Sequence, residues 1–281
     1  MIELPDDMVL PAGFILDDPP DPPVVPKHAA TVMLVRDASA GLEVFLLHRV
    51  HGMPFAGGMT VFPGGGVDQR DADTSVAWHG PEPAFWAEWF GVDIGLARAL
   101  VCAAVRETFE ESGVLLAGHD GGAVVADARP YASARQDLVD RKMSLAQFLA
   151  EAGLVLRADL LRPWANWVTP EAEARRYDTR FFLAELPAGQ VADGETTEAS
   201  DAGWALPTDA IAAWKAGERM LLPPTWVTLA ELARCATVAD AGAQRRELGK
   251  IMPKVIRADG QVRLVLPGDP AYDEIGRGAG S

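Results

Sequence analysis

The stretch from Ile94 to Ser112, IGLARALVCAAVRETFEES, restricts the fold more than any other part of the chain. It is rich in alanine, repeats its apolar residues at helical spacing, and is followed by Gly113, a residue type that commonly ends helices. Glu107, Glu110 and Glu111 stand at i, i+3 and i+4, so a helix places their carboxylates on one face. The sequence therefore predicts a helix with an apolar face and an acidic C-terminal end.

Two interpretations of these acids are open. A run of charges is most often a solvated helix surface. Alternatively, the three carboxylates bind a hard divalent cation that removes their mutual repulsion, and oxygen ligands suit Mg²⁺ or Mn²⁺ better than zinc. The adjacent Arg106 could then orient a carboxylate or hold a phosphate oxygen. The glycine-rich FPGGG run upstream and the apolar strand after Gly113 favour the cation site.

The rest of the chain is predicted to contain both strands and helices. Residues 1–27 are rich in proline and aspartate, which predicts an extended leader. The core is expected to begin at Ala29, with one strand over ATVMLVRD and a second over Glu43–Val50. Residues 74–92, which contain three tryptophans, read as an inserted loop or short helix that packs on the core, and Ser144 reads as the cap of a helix over 144–152.

Downstream, core strands are predicted over 164–170 and 179–187, and a third is expected to end near Trp204. Helices are predicted over 208–218 and 225–248, with LLPPT as a break between them, and a final strand over QVRLVLPGD.

Composition excludes several classes of protein. The chain has 281 residues, 49% of them hydrophobic, which is enough for a sizeable core. Its formal net charge of −15 argues against tight binding to nucleic acid, because such binding needs clustered Lys and Arg. Cys102 and Cys235 are too few for a disulfide framework or a four-ligand zinc site, and both are expected to be buried. No apolar run has membrane-spanning length and no basic segment precedes one at the N-terminus, so we expect a cytoplasmic protein without a membrane partner.

RETFEESGV, from Arg106 to Val114, resembles the second half of the Nudix box, G-x5-E-x7-R-E-U-x-E-E-x-G-U, in which U is aliphatic. The FPGG run from Phe62 resembles the opening of the box. Thr108 departs from the pattern, which has an aliphatic residue at that position.

The first half of the box is interrupted. Gly65 precedes Arg106 by 41 positions where the pattern has 14, so an insertion of 27 residues is implied. The first acid of the pattern then falls on Asp71, with Asp73 as a competitor.

An interrupted box of this kind resembles the Nudix subgroup that includes peroxisomal coenzyme A diphosphatases of animals. LLHR from Leu46 and GMPFAGGMTVFPGG resemble the upstream segment of that subgroup, and the resemblance covers roughly Ala29 to Leu232. It implies an α/β fold, the Nudix α/β/α sandwich with a mixed sheet, an insertion before the catalytic helix and a C-terminal helical extension. The implied units are the leader at 1–27, a Nudix hydrolase domain at 28–237 and an extension at 238–281 packed on that domain.

The resemblance also implies a function, the divalent-metal-dependent hydrolysis of a diphosphate linkage in a small-molecule nucleoside diphosphate derivative. Coenzyme A or acyl-coenzyme A is the favoured substrate and Mg²⁺ or Mn²⁺ the cofactor, with ADP-ribose or NADH as alternative substrates. A catalytically silent ligand-binding module is an alternative of a different class, although a binder has no need of three mutually repelling acids. Members of the family are often dimeric, so a homodimer is compatible with the resemblance.

Site residues follow from the resemblance and from charge. The cation is assigned to Glu107, Glu110, Glu111 and Gly65, and the catalytic residues are expected to be these three acids with Arg106 and Glu198. Glu107, Glu195 and Asp201 compete with Glu198 as the general base.

Because the protein is acidic, local cations must contact an anionic substrate. The candidate contacts are Arg49, Arg175, Arg176 and Arg180, with Gly64 and Gly65 from the glycine-rich loop. Tyr177 and Phe181 are candidates for stacking on a base, and His48 and His51 for substrate contact.

Overall fold

The structure is a computed structural model that describes residues 4–5, 8, 20–50, 56–196, 199–247, 249–258 and 261–274. Most of the predicted leader lies outside these residues, as do His51 and Glu198. Lys27, the last residue of the predicted leader, already belongs to the first strand.

Strands make up one large sheet and two small ones. Their bounds are β1 Lys27–Ala38, β2 Gly41–Arg49, β3 Met59–Val61, β4 Gly64–Gly66, β5 Trp78–His79, β6 Ala117–Gly118, β7 Val155–Arg157, β8 Leu161–Val168, β9 Tyr177–Glu185, β10 Ala199–Ala205, β11 Met220–Leu221, β12 Lys250–Ile251, β13 Lys254–Ala258 and β14 Gln261–Val265.

The helices are α1 Pro83–Phe90, α2 Ile94–Ser112, α3 Ala132–Val139, α4 Leu145–Ala152, α5 Pro207–Lys215, α6 Pro223–Leu232, α7 Val238–Gly242 and α8 Pro270–Glu274. Short 3-10 helices span Gln69–Ala72, Arg129–Tyr131 and Ala158–Leu160.

The large sheet is mixed. Its main order is β11-β3-β2-β1-β9-β8-β12, with β10 paired to β2 and β4 paired to β1. Strand β1 runs parallel to β9 and antiparallel to β2, and β8 runs antiparallel to β9. β5, β7 and β6 form a small separate sheet, and β13 pairs with β14 in a hairpin.

Alternating residues of the central strands divide the core into two layers. On β1, Ala30, Val32 and Leu34 pack with the apolar residues of α1, α2 and α4, whereas Met33 and Val35 pack with those of α5 and α6. Because neighbouring side chains of a strand point to opposite faces, this alternation buries both faces of the sheet. The predicted α/β/α sandwich with a mixed sheet is confirmed.

Helix α2 has the predicted bounds, and Gly113 ends it in the left-handed conformation at φ 71°. Ser144 caps α4 through the predicted side-chain hydrogen bond. The inserted segment contains α1, whose Trp86 is fully buried 5.7 Å from the ring of Phe182 on β9. The insertion is therefore part of the core. Both cysteines are buried, as expected.

The helical prediction beyond Pro207 is wrong in one respect. The run predicted over 225–248 ends at Leu232, and α7 begins separately after Thr237, whose side chain forms a capping box with Asp240. Pro223 begins α6 rather than only breaking the chain, because proline is well suited to the first turn of a helix. After residue 237, the described residues contain two short helices and also the hairpin of β13 and β14.

Candidate active site

Helix α2 presents the three predicted acids in a recess. Asp93 caps its N-terminus, and its apolar positions are buried against the sheet. The side chains of Glu107, Glu110 and Glu111 are only 13%, 14% and 6% exposed. This burial is inconsistent with the solvated-surface interpretation, since a solvated helix face leaves its charges in water.

Arg106 connects the acids to the loop upstream. Its Nη1 donates to Glu107 Oε1 at 2.7 Å and to Glu110 Oε1 at 3.3 Å. Its Nε and Nη2 donate to the two carboxylate oxygens of Asp71 at 2.9 and 2.8 Å, and Nη2 also reaches the carbonyl of Gly66 at 3.0 Å. We call Asp71 and the three acids of α2 the acidic cluster.

The acidic cluster concentrates negative charge in a small buried volume. Arg106 pairs with Asp71, Glu107 and Glu110, and Arg49 lies near Glu111. Burial raises the pKa of Glu107 to about 7. The negative charge of Glu110 also raises this pKa, whereas the positive charge of Arg106 lowers it. Burial also disfavours the charged form of Arg106, but its hydrogen bonds to Asp71 and the nearby carboxylates outweigh this and raise its pKa. An additional cation would therefore be stabilised here.

The glycine-rich loop lies directly against α2. The amide of Gly64 donates to Glu111 Oε2 at 2.7 Å, and Arg49 Nη1 lies 3.7 Å from the other oxygen of the same carboxylate. A methyl group on Gly65 would stand 2.5 Å from Glu107 Oε1. Glycine is needed at this position because any side chain would displace the carboxylate.

Two cavities meet at the acidic cluster. The larger is a cleft of about 720 Å³, within the usual size of a small-molecule site. The smaller, which we call the acidic recess, has about 130 Å³ and is lined by Arg106 and all three acids of α2. Asp68, Glu107 and Arg141 line both cavities. A ligand in the cleft can therefore extend one end to the acids.

The donor chemistry fits a hard divalent cation. Glu107 and Glu110 both approach Arg106 Nη1, so their carboxylates already converge on one positive group, while Glu111 turns to the amide of Gly64. Among the residues that the structure describes, no three His, Cys, Asp or Glu side chains are already grouped around one cation position. The oxygen-only donors, their burial and their mutual repulsion nevertheless match what such a cation requires.

Several of the predicted substrate contacts lie at the cleft. Arg49, Arg175, Tyr177 and Phe181 all line it, together with Gly64 and Gly65. His48 is not among the lining residues. The structure thus brings the glycine-rich loop, the acids and part of β9 around one space.

Two predicted contacts lie elsewhere. Arg180 is fully buried in an ion pair with Asp178, on the opposite face of β9 from Phe181. Arg176 is buried and donates to the carbonyls of Val24 and Thr169 at 2.7 and 3.1 Å. Neither arginine lines the cleft, because strand alternation and backbone contacts direct both side chains into the protein.

Two of the three acids predicted in the loop before Trp204, Glu195 and Asp201, do not line either cavity. Glu195 is exposed, and Asp201 pairs with Arg219 at 2.8 Å. Glu198 lies outside the described residues. Thr196, however, lines the acidic recess, so this loop borders the recess.

The sequence left open which acid pairs with Arg106, and it did not indicate three residues that border the acidic recess. Asp71, rather than Asp73, is the acid that binds Arg106, and it is 2% exposed. Asp68, Arg70 and Arg141 border the acidic recess but were not among the candidates. The only signal for Asp71 was its spacing in the interrupted box, and the other three lie outside that pattern.

Comparisons with known proteins identify relatives of this chain. A family model described as the NUDT19 Nudix domain matches residues 90–234, slightly more than half of the chain. The acyl-coenzyme A diphosphatase NUDT19 of Xenopus laevis is 26% identical over 275 residues, covering 83% of this chain and 72% of that protein. Its Homo sapiens counterpart is 28% identical over 312 residues, covering 95% of this chain and 79% of that protein.

Among solved structures, a NUDIX hydrolase from Alicyclobacillus acidocaldarius superposes with a TM-score of 0.63 at 26% identity. The match covers 79% of this chain and 98% of that one. No helix in the described ranges is both long and apolar enough to cross a membrane.

Proposed function

This chain belongs to the NUDT19 Nudix domain family, and from that premise we propose that it hydrolyses the diphosphate linkage of coenzyme A or acyl-coenzyme A. It is a Nudix hydrolase, an enzyme that cleaves diphosphate bonds with the help of a divalent metal. The substrate class is supported by the relatives named as acyl-coenzyme A diphosphatases.

One observation carries the proposal: a buried cluster of four carboxylates borders a cleft large enough for a nucleotide derivative. The cleft is also suited to the apolar part of such a substrate. Phe62, Trp167, Phe181 and Leu222 line it, and Leu264 extends the same wall from the C-terminal extension. A polar diphosphate at the acids and an apolar chain along this wall would satisfy both parts of the lining.

Glu107, Glu110 and Glu111 are proposed to hold the metal together with the backbone of Gly65, and Mg²⁺ or Mn²⁺ is favoured because all donors are oxygens. The bound metal would supply neutralisation of the diphosphate charge and activation of water. Arg106 holds Glu107 and Glu110 side by side and keeps them oriented through its contacts with Asp71.

In the proposed reaction, water attacks one phosphorus, the bond from that phosphorus to the bridging oxygen breaks, and the second phosphate leaves. The attacking water must lose a proton to a base within hydrogen-bond reach. Glu107, which lines both the cleft and the acidic recess, is one candidate. Glu198, in the loop that borders the acidic recess, stays the other.

Arg49 and Arg175 are proposed to contact the phosphates of the substrate, with the amides of the glycine-rich loop. Arg176 and Arg180, whose side chains are engaged away from the cleft, are not part of this proposal.

The test is an assay of purified protein with coenzyme A and Mg²⁺ or Mn²⁺. We expect adenosine 3′,5′-bisphosphate and 4′-phosphopantetheine as products, identified by mass spectrometry, and no turnover after chelation of the metal. Glu110→Gln and Glu111→Gln should lose turnover while remaining folded. Glu151→Gln, an exposed acid on α4, is the matched control and should keep it.

Parallel reactions with acyl-coenzyme A, ADP-ribose and NADH rank the alternative substrates. Preference for ADP-ribose or NADH would refute the coenzyme A assignment but retain the diphosphatase. If no substrate is cleaved with either metal, or if both variants keep wild-type rates, the proposed site is wrong and a silent binding module becomes the better description.

A further inference from the structure

Arg141 occupies a distinctive position between the two cavities. It follows α3 and its C-terminal residue Asp140, and it is the only basic residue, among those described, that lines both the cleft and the acidic recess. Asp68 and Glu107 are the other residues shared by the two linings. Arg141 therefore borders both the cleft and the recess that contains the acids.

The other arginines of the acidic recess are already engaged with carboxylates. Arg70 is held by Asp68, and Arg106 by Asp71 and two acids of α2. In the described part of the chain, no hydrogen bond or ion pair is found for the guanidinium group of Arg141, whose backbone carbonyl alone accepts from Arg70. Arg141 is therefore available to an incoming anion without breaking an internal ion pair.

The backbone conformation of Arg141 is also unfavourable to the stability of the fold. Its φ is +58°, in the left-handed region that disfavours residues with a Cβ, and its amide donates to the carbonyl of Leu138 at the end of α3. Glycine is the usual residue at such a helix end. The presence of arginine in a backbone conformation that favours glycine indicates that its side chain has a role other than stabilising the fold.

We propose that Arg141 binds a phosphate oxygen of the substrate at the junction of the two cavities. This inference rests on the proposed function for the identity of the substrate. The charge of Arg141 makes the junction attractive to an anion in a protein whose net charge is −15.

A structural explanation makes a different prediction. A cation at the C-terminal end of α3 interacts favourably with the helix dipole, and the residue could be present for that reason alone. In that case, replacing it with glycine would alter stability but not the binding of substrate.

The experiment compares Arg141→Ala, Arg141→Gly and Arg141→Lys with Lys142→Ala. Lys142 is the matched control because it carries the same charge one residue away, is paired with Asp140 at 2.7 Å, and lines neither cavity. KM and kcat for coenzyme A are measured together with the melting temperature.

We expect the alanine and glycine variants to raise KM by about 10- to 100-fold, the loss associated with a charge-assisted hydrogen bond. The lysine variant should fall between them and wild type, and Lys142→Ala should stay within about twofold. Arg141→Gly should melt no lower than wild type, because glycine relieves the backbone strain. Unchanged KM in both Arg141→Ala and Arg141→Gly would overturn the inference.

Binding of inorganic pyrophosphate with Mg²⁺, followed by calorimetry, separates this inference from the proposed function. Suppose that wild type binds pyrophosphate, that Arg141→Gly binds it at least tenfold more weakly, and that coenzyme A is not cleaved. In that case the role of Arg141 is retained and the substrate assignment is refuted. Equal affinity in the two proteins, or no binding by wild type, refutes the role of Arg141.

Discussion

Replacement of Gly65 by alanine tests whether the glycine-rich loop positions the carboxylate of Glu107. The added Cβ would stand 2.5 Å from Oε1, 2.6 Å from Cδ and 2.7 Å from Oε2 of Glu107. Ordinary van der Waals contact begins near 3.4 Å, so the carboxylate has to move by about 0.9 Å. The obstacle is the end of a flexible side chain, so we expect the fold to accommodate the methyl group.

The catalytic cost should be large in comparison. Glu107 Oε1 is held by Arg106 at 2.7 Å, and a shift of this size breaks or lengthens that hydrogen bond. A misplacement of about 1 Å at a reacting centre costs roughly 100-fold in rate. We therefore expect kcat for coenzyme A to fall by about 100-fold in Gly65→Ala, with a melting temperature within a few degrees of wild type.

The two neighbouring glycines provide internal controls. A Cβ on Gly66 meets no atom within 4 Å, so Gly66→Ala should retain activity and gain about 0.4 to 1 kcal/mol of stability. A Cβ on Gly64 meets the carbonyl oxygen of Ala30 at 2.5 Å, which belongs to the backbone of β1. Gly64→Ala should lose about 1 to 3 kcal/mol, a fall of roughly 2 to 12 °C in melting temperature.

The assay is steady-state hydrolysis of coenzyme A with saturating metal, combined with thermal denaturation of all three variants. The reasoning fails if Gly65→Ala turns over at the wild-type rate, or if Gly66→Ala is as impaired as Gly65→Ala. In either case the proximity of Gly65 to Glu107 would have no catalytic consequence.

Four further predictions follow from the contacts. Glu110→Gln removes one of the two charges that converge on Nη1 of Arg106, and its activity per bound metal should fall by at least about 10- to 100-fold with an unchanged circular dichroism spectrum. Asp71→Ala leaves Arg106 buried without its bidentate partner, so urea unfolding should show a loss of about 3 to 5 kcal/mol. Trp86→Ala empties a fully buried site beneath the sheet and should cost about 3 to 5 kcal/mol, measured by thermal denaturation. Burial raises the pKa of Glu173 from 4.5 to about 7. The stability that this carboxyl group contributes is therefore present below pH 4.5 and is lost as the pH rises through 7. The free energy of unfolding of Glu173→Gln should equal that of wild type at pH 4 and exceed it by on the order of 1 kcal/mol at pH 8.

Helix α2 is the element that local sequence determined most completely. Its alanine-rich apolar face, the cap at Asp93 and the terminal Gly113 act within a few residues of one another, so the bounds of α2 could be predicted from sequence alone. The same holds for α4 with its cap at Ser144. The family resemblance depended on the same local pattern, because the residues that define it are carried by one helix and one loop.

Local sequence does not specify the contacts of residues whose partners lie in distant parts of the chain. Arg180 was a reasonable substrate contact by charge, but the register of β9 turns it into the core and onto Asp178. The guanidinium group of Arg176 donates to the carbonyl of Val24, which is 152 residues away in sequence. Asp71 acquired its partner across a separation of 35 residues, which the insertion obscured.

Helix periodicity and turn chemistry are local properties of the chain, so the residues alone predicted a helix with clustered acids and a glycine-rich turn, and the family resemblance assigned both to one Nudix-type unit. The folded protein was needed to show which arginines line the cleft, that Glu111 turns to the amide of Gly64, and that Arg141 lies at the junction of the two cavities. These arrangements depend on sheet register and on how helices pack across the sheet. Both bring together residues that are far apart in the chain, and no local pattern encodes that proximity.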